Sequence, residues 1–137
     1  MLNGRLYVMG GDGCNKLQVL EMSEENEFTW TVKADMPTAQ YDAASAVVDG
    51  KLWVMCGSID DDETDNVAIY DPANDTWVEG PPLPQATRDC TAATLDGVIH
   101  VAAGYGLSFV YRDAAWVEEE DVHEFDLPPT RASLLLG

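Results

Sequence analysis

Positive charge is scarce in this chain. Seven lysines and arginines stand against 25 aspartates and glutamates, leaving a net charge of −18 over 137 residues. Such a surface repels phosphate backbones and anionic headgroups across a Debye length, so neither nucleic acid nor a membrane is an expected partner. Long apolar runs are also missing. None approaches the ~20 residues that span a bilayer, and Met1 to Gly11 has neither the basic start nor the long apolar stretch of an export signal. The expected location is the cytoplasm, with the nucleus as the alternative. The sequence has two histidines and three cysteines. The cysteines, Cys14, Cys56 and Cys90, are an odd number at wide spacing, with no Cys-x-x-Cys pair to seed a zinc or redox motif. They read as reduced, mostly buried thiols. A Gly-x-Ser-x-Gly elbow, a phosphate loop and a Cys-His pairing are absent, and Gly10-Gly11-Asp12-Gly13 does not lead into a helix as a dinucleotide fingerprint must. No catalytic residue, metal or cofactor is expected.

Sustained apolar spacing at i, i+3, i+4 and i+7 is missing as well, so helix should be nearly absent. What the chain has instead is a repeat. Asn3-Gly4-Arg5-Leu6-Tyr7-Val8-Met9-Gly10-Gly11 aligns with Asp49-Gly50-Lys51-Leu52-Trp53-Val54-Met55-Cys56-Gly57. Both align with Asp96-Gly97-Val98-Ile99-His100-Val101-Ala102-Ala103-Gly104. The leading glycines lie 46 and 47 residues apart, and Trp30 to Trp77 and Pro37 to Pro84 keep a spacing of 47. Trp116 and Pro128 follow at shorter spacings of 39 and 44. Periods of this length mark stacked or radial repeats.

Each unit reads as four short strands. A small-residue run, Ala43 to Val48 or Cys90 to Leu95, ends in Asp-Gly, the dipeptide of a type I′ hairpin. The next strand, Leu52-Trp53-Val54-Met55, is apolar without alternation, as a strand packed on both faces requires. A third runs through Val67 to Tyr70 into Asp71-Pro72-Ala73-Asn74-Asp75, whose proline and Asp/Asn side chains favour a turn. The fourth starts at Trp77.

A glycine-led aromatic strand (Gly50-Lys51-Leu52-Trp53), a double glycine (Gly10-Gly11), a Tyr70-Asp71-Pro72 turn and a following Trp77 together resemble the kelch repeat. The best unit spans Tyr41 to Pro84. Elsewhere the double glycine becomes Cys56-Gly57 and Ala103-Gly104, and the turn becomes Glu21-Met22-Ser23 or Tyr111-Arg112-Asp113. The resemblance implies an all-β fold, a kelch-type β-propeller fragment of two complete four-stranded antiparallel blades plus two partial ones. Residues 1–39 would supply strands two to four of a partial blade, 40–86 a complete blade, 87–129 a divergent complete blade and 130–137 the first strand of another. Because propellers close with ~4 to 8 blades, the arc is expected to belong to a longer protein or to complete a ring by self-association.

Antiparallel order puts the loop between strands two and three on the same face as the link to the next blade. Asp60, Asp61, Asp62, Glu63 and Asp65 should therefore share a rim with Glu118, Glu119 and Glu120, either as solvated loops or as a surface for a basic or polar protein segment. Calcium held by Asp60, Asp62 and Asp65 has the right oxygen ligands but lacks the glycine and distal glutamate of an EF-hand loop. Arg88 and Arg131 precede a first strand, where Gln40 stands in the first full blade. The resemblance implies that such arginines line the central opening and meet acidic peptides; tying neighbouring loops together is the competing role. Tyr105, between Gly104 and Gly106, adds an aromatic contact, and a sugar-binding role would rest on it. His100 occupies the slot of Tyr7 and Trp53 and is expected in the core. His123 has no cysteine or second histidine near it in sequence. Trp30, Trp77 and Trp116 mark interblade packing. The function expected from these residues is protein binding, without an enzyme activity. The alternative is a portion of an enzyme, since kelch-like propellers include copper oxidases, sialic-acid epimerases and iron-using specifier proteins, with active-site residues partly in other blades.

Overall fold

The computed structural model describes residues 1–119, with only the backbone at Tyr105. Glu120, His123, Pro128, Arg131 and the strand expected within 130–137 lie outside the described residues. Three antiparallel sheets follow one another along the chain. The first holds β1 (Leu6–Met9), β2 (Leu17–Met22) and β3 (Phe28–Val32). The second orders β4 (Ala44–Val48), β5 (Lys51–Met55), β8 (Val67–Asp71) and β9 (Thr76–Glu79). Between β5 and β8 stands a separate two-stranded hairpin, β6 (Ser58–Ile59) and β7 (Asp62–Glu63). The third sheet orders β10 (Thr91–Leu95), β11 (Val98–Ala102), β12 (Ser108–Arg112) and β13 (Ala115–Glu118). A 3-10 turn at Gly104–Gly106 is the sole helical element among the described residues.

The turns follow from local chemistry. Asp49 and Gly50 have φ of 51° and 70°, and Asp96 and Gly97 have 50° and 78°, the left-handed pair a type I′ hairpin needs. Asn3 and Gly4 repeat it at 52° and 71°, and Leu2 and Arg5 exchange two backbone hydrogen bonds across that turn. Leu2 thus pairs ahead of β1 where β4 and β10 pair with their own second strands.

The unbroken apolar run of β5 has a direct structural cause. Its sheet lies between two others, so Leu52 and Val54 enter the core shared with the first sheet, while Trp53 and Met55 enter the core shared with the third. An aromatic relay repeats across both interfaces. Tyr7 of β1 approaches Tyr70 at 6.1 Å, and Tyr70 packs on its cross-strand partner Trp77 at 5.1 Å. Trp53 approaches Tyr111 at 4.9 Å, and Tyr111 packs on Trp116 at 5.1 Å. The indole N–H of Trp77 donates to Ala34 O and that of Trp116 to Pro81 O, both at 2.8 Å. Each tryptophan thereby ties its sheet to the connection leaving the previous one.

The same register leaves one face without a neighbour among the described residues. Leu6 pairs with Leu20 and Leu20 with Trp30, which sets these side chains beside Val8 and Val32 on the side of the first sheet away from the second. Val8, Trp30 and Val32 are 51%, 49% and 64% exposed. Trp30 holds the repeat position of Trp77 and Trp116 but has no aromatic packing partner of their kind among the described residues. His100 is half-buried, opposite Ala93 and Val110 in register.

Candidate partner-binding rim

Five of the seven residues from Ile59 to Asp65 are carboxylates, and charges in such close succession are too costly to bury together. The chain resolves this by folding them outward as the β6–β7 hairpin, with Ser58 opposite Glu63 and Ile59 opposite Asp62. Asp60 and Asp61 form its turn at φ of 51° and 70°, a conformation that aspartate tolerates better than most residues. The expected loop is thus a structured element.

Its base is tied to the connections on either side. Ser58 N–H donates to Tyr41 O at 2.8 Å, and Tyr41 N–H returns a bond to Ser58 O at 3.1 Å. Gly57 N–H donates to Thr87 O at 2.8 Å, Thr87 N–H to Thr64 O at 3.2 Å and Leu83 N–H to Asp65 O at 2.9 Å. Beneath the hairpin sits Gln40, 3% exposed. Its amide nitrogen donates to Cys56 O and its oxygen accepts from Asn66 Nδ2 at 3.0 Å, so the buried amide is bonded at both ends.

The carboxylates divide into engaged and free. Tyr41 Oη donates to Asp61 Oδ1 at 2.6 Å. That bond, with lesser contributions from desolvation and from the charges of Asp61 and Asp12, holds the tyrosine's pKa above its usual value. Arg88 Nε meets Glu63 Oε1 at 3.5 Å, an exposed ion pair that joins the hairpin to the next connection. Asp60, Asp62 and Asp65 have no side-chain partner among the described residues. Arg88, placed by the resemblance at a central opening, is thus paired within the rim.

Glu118 is the last residue of β13 and not a loop residue, because its register opposite Phe109 extends the edge strand to that point. Glu119 follows it, and its N–H donates to Ser108 O at 3.0 Å. No hydrogen bond or ion pair among the described residues joins Glu118 or Glu119 to the hairpin. Glu120 and Arg131 lie outside the description, and so does the side chain of Tyr105. Asp71 ends β8 and leads into the turn, where its carboxylate accepts from Ala73 N–H at 2.9 Å across Pro72. Among the described residues, no group of three or more His, Cys, Asp or Glu is placed to hold a metal ion.

Sequence reasoning missed Tyr41, Asp12 and Asp42. They line an open cleft of about 560 Å³ with Tyr7 and Gln40, between the edge of β1 and the start of β4. The available signal was position: Gln40-Tyr41 precedes a first strand as Arg88-Asp89 does.

Residues 41–84 match the family model of the Kelch motif. The chain is 35% identical over 105 residues to Kelch-like protein 35 of Mus musculus, covering 75% of this chain and 18% of that protein. It is 30% identical over 130 residues to Kelch repeat and BTB domain-containing protein 12 of Homo sapiens, covering 76% and 20%. With Kelch-like protein terF of Aspergillus terreus it shares 31% over 138 residues, covering 91% and 29%. The chain therefore spans between about a fifth and a third of the length of these curated relatives. Among solved structures, that of YjhT superposes with a TM-score of 0.65 at 24% identity, covering 78% of this chain and 32% of that one. With successive antiparallel sheets packed face to face and joined by the same tyrosine–tryptophan relay, the chain belongs to the kelch-repeat family and has the all-β propeller fold.

Proposed function

We propose that this chain is part of a protein-interaction propeller that docks a basic or polar segment of another protein on its acidic rim. The observation that carries the reading is the hairpin itself. Asp60, Asp62 and Asp65 are exposed and unpaired among the described residues, yet their backbone is anchored to connections on both sides. Fixed negative charges in that arrangement raise the encounter rate with a cationic segment and need little ordering on binding. The kelch-like relatives are consistent with a protein partner.

The test is titration of a lysine- and arginine-rich peptide, with an acidic peptide of equal length as control. Changing Asp60, Asp61, Asp62 and Asp65 together to asparagine should weaken the basic peptide at least about tenfold, or ~1.4 kcal/mol, and flatten its salt dependence. Far-UV circular dichroism should stay unchanged, because the amide oxygen introduced by Asp61→Asn could still accept from Tyr41 and the other three side chains make no hydrogen bond or ion pair among the described residues. Equal affinity in the variant would return the acidic run to a solvated surface.

The apolar face of the first sheet, uncovered among the described residues, adds a requirement for ring completion. Val8, Trp30 and Val32 would be covered by a further blade, in a longer chain or in a second copy. Light scattering on the 137-residue chain should accordingly show association that reverses on dilution. A compact monomer indifferent to concentration would contradict this.

A further inference from the structure

Two of the three cysteines share the apolar cluster at the interface of the second and third sheets. Cys56 directly follows β5 and is fully buried, while Cys90 directly precedes β10 and is half-buried. Cys90 packs against the apolar cluster that contains Cys56. The backbone brings them together: Gly57 N–H, one residue past Cys56, bonds to Thr87 O at 2.8 Å, and Thr87 Oγ1 lies 4.0 Å from Cys90 Sγ. The two thiols are near enough for each to act on the other's proton affinity.

The repeat provides an internal comparison. At the interface of the first and second sheets, the corresponding positions hold Gly10 after β1 and Ala43 before β4. Small sulfur-free residues therefore suffice for packing at this point. Both positions carry sulfur at the same interface, which places a chemistry there that packing does not require.

The two sulfurs are unlike in environment. Burial, followed by the contact with Cys90, pushes the Cys56 thiol up, so it keeps its proton. The neighbouring Cys56 thiol brings Cys90 below the usual thiol value, against burial and the Asp89 and Glu63 charges, with the Thr87 hydroxyl acting in the same direction as Cys56. A half-buried thiol with a lowered pKa beside a second thiol that keeps its proton is the arrangement of an attacking and a resolving cysteine.

We propose that Cys56 and Cys90 form a reversible, hydroperoxide-sensitive pair that closes to a disulfide between neighbouring blades. The Cys90 thiolate attacks the hydroperoxide; a sulfur–oxygen bond forms, the oxygen–oxygen bond breaks, and the departing oxygen takes a proton and leaves as an alcohol or water. Cys90 is then a sulfenic acid. The Cys56 sulfur attacks it and gives up its proton, the sulfur–oxygen bond breaks, and the leaving hydroxide takes a proton to become water. Two thiols and one hydroperoxide thus yield one disulfide, one alcohol or water, and one further water. A dithiol reductant reverses the bond by exchange. The bridge joins the end of β5 to the start of β10 and closes the stretch of chain between them.

Hydrogen peroxide added to the folded 137-residue chain, followed by alkylation of free thiols and peptide mapping, tests this directly. The expected products are a Cys56–Cys90 linked peptide, an alkylated Cys14, a raised melting temperature, and recovery of all three thiols with dithiothreitol. In C56S, Cys90 should pass on to sulfinic acid for lack of a resolving thiol, and in C90S the buried Cys56 should stay reduced. Linkage through Cys14, or oxidation of Cys90 to sulfinic acid as fast in the unaltered chain as in C56S, would overturn the proposal. The unaltered chain decides the linkage by itself, so a folding defect in either variant leaves the answer intact.

Discussion

Replacing Tyr70 by alanine is expected to cost about 4 kcal/mol of folding stability, the largest loss from any single truncation in the first interface. Tyr70 is fully buried, with Tyr7 on one side and Trp77 on the other, so its ring joins two sheets and two strands of one sheet. Its hydroxyl donates to Asp75 Oδ1 at 2.8 Å, and the same oxygen accepts from Ala34 N–H at 2.9 Å. Tyr70→Phe keeps the ring and loses only that bond, for about 1 kcal/mol. Trp77→Ala falls between, at about 3 kcal/mol, because its indole is partly exposed although it bonds to Ala34 O. Domains of this kind have only ~5 to 15 kcal/mol to lose, so Tyr70→Ala should shift the urea midpoint strongly at constant slope. A loss no larger for alanine than for phenylalanine would show that the ring packing contributes little.

Gly57→Ala is the second large effect, with an expected loss of about 3 kcal/mol. Gly57 has φ of +96°, and a Cβ there would run into Tyr41 O and come within 2.9 Å of Ala43 N, both main-chain atoms that no side-chain rotation can move aside. Gly50→Ala is the control. Its φ is +70° but nothing lies within 4 Å of the added carbon, so it should cost only about 1 kcal/mol for the left-handed conformation. The difference between the two variants isolates the close approach. Gly57 also exchanges bonds with Thr87 O and Thr64 N–H at the base of the acidic hairpin, so limited proteolysis of Gly57→Ala should cut the hairpin before the rest of the chain.

Much of the architecture was legible because each repeat unit satisfies its local demands alone. Asp49-Gly50 and Asp96-Gly97 specify tight turns whatever surrounds them, since the left-handed backbone belongs to the dipeptide. The unalternating run Leu52 to Met55 marked a strand with two buried faces. The rim was only partly legible. An unbroken acidic run looks like a loop in one dimension, and the β6–β7 hairpin forms because bonds from Tyr41, Leu83 and Thr87 hold its base. Gln40 looked like a counterpart of Arg88, yet it is a buried clamp, because Cys56 O and Asn66 Nδ2 meet it from other segments.

By itself, the order of residues determined strand content, hairpin turns, repeat phase and the excess of negative charge, all of which depend on neighbours within a few positions or on composition. Tertiary structure alone decided which carboxylates are paired, that Arg88 meets Glu63, that Trp30 stands exposed while Trp77 and Trp116 bond to the preceding connection, and that Cys90 packs against the cluster containing Cys56. The physical reason is that each of these depends on side chains brought together from separate sheets, and packing between sheets, unlike pairing within a hairpin, leaves no short-range trace along the chain.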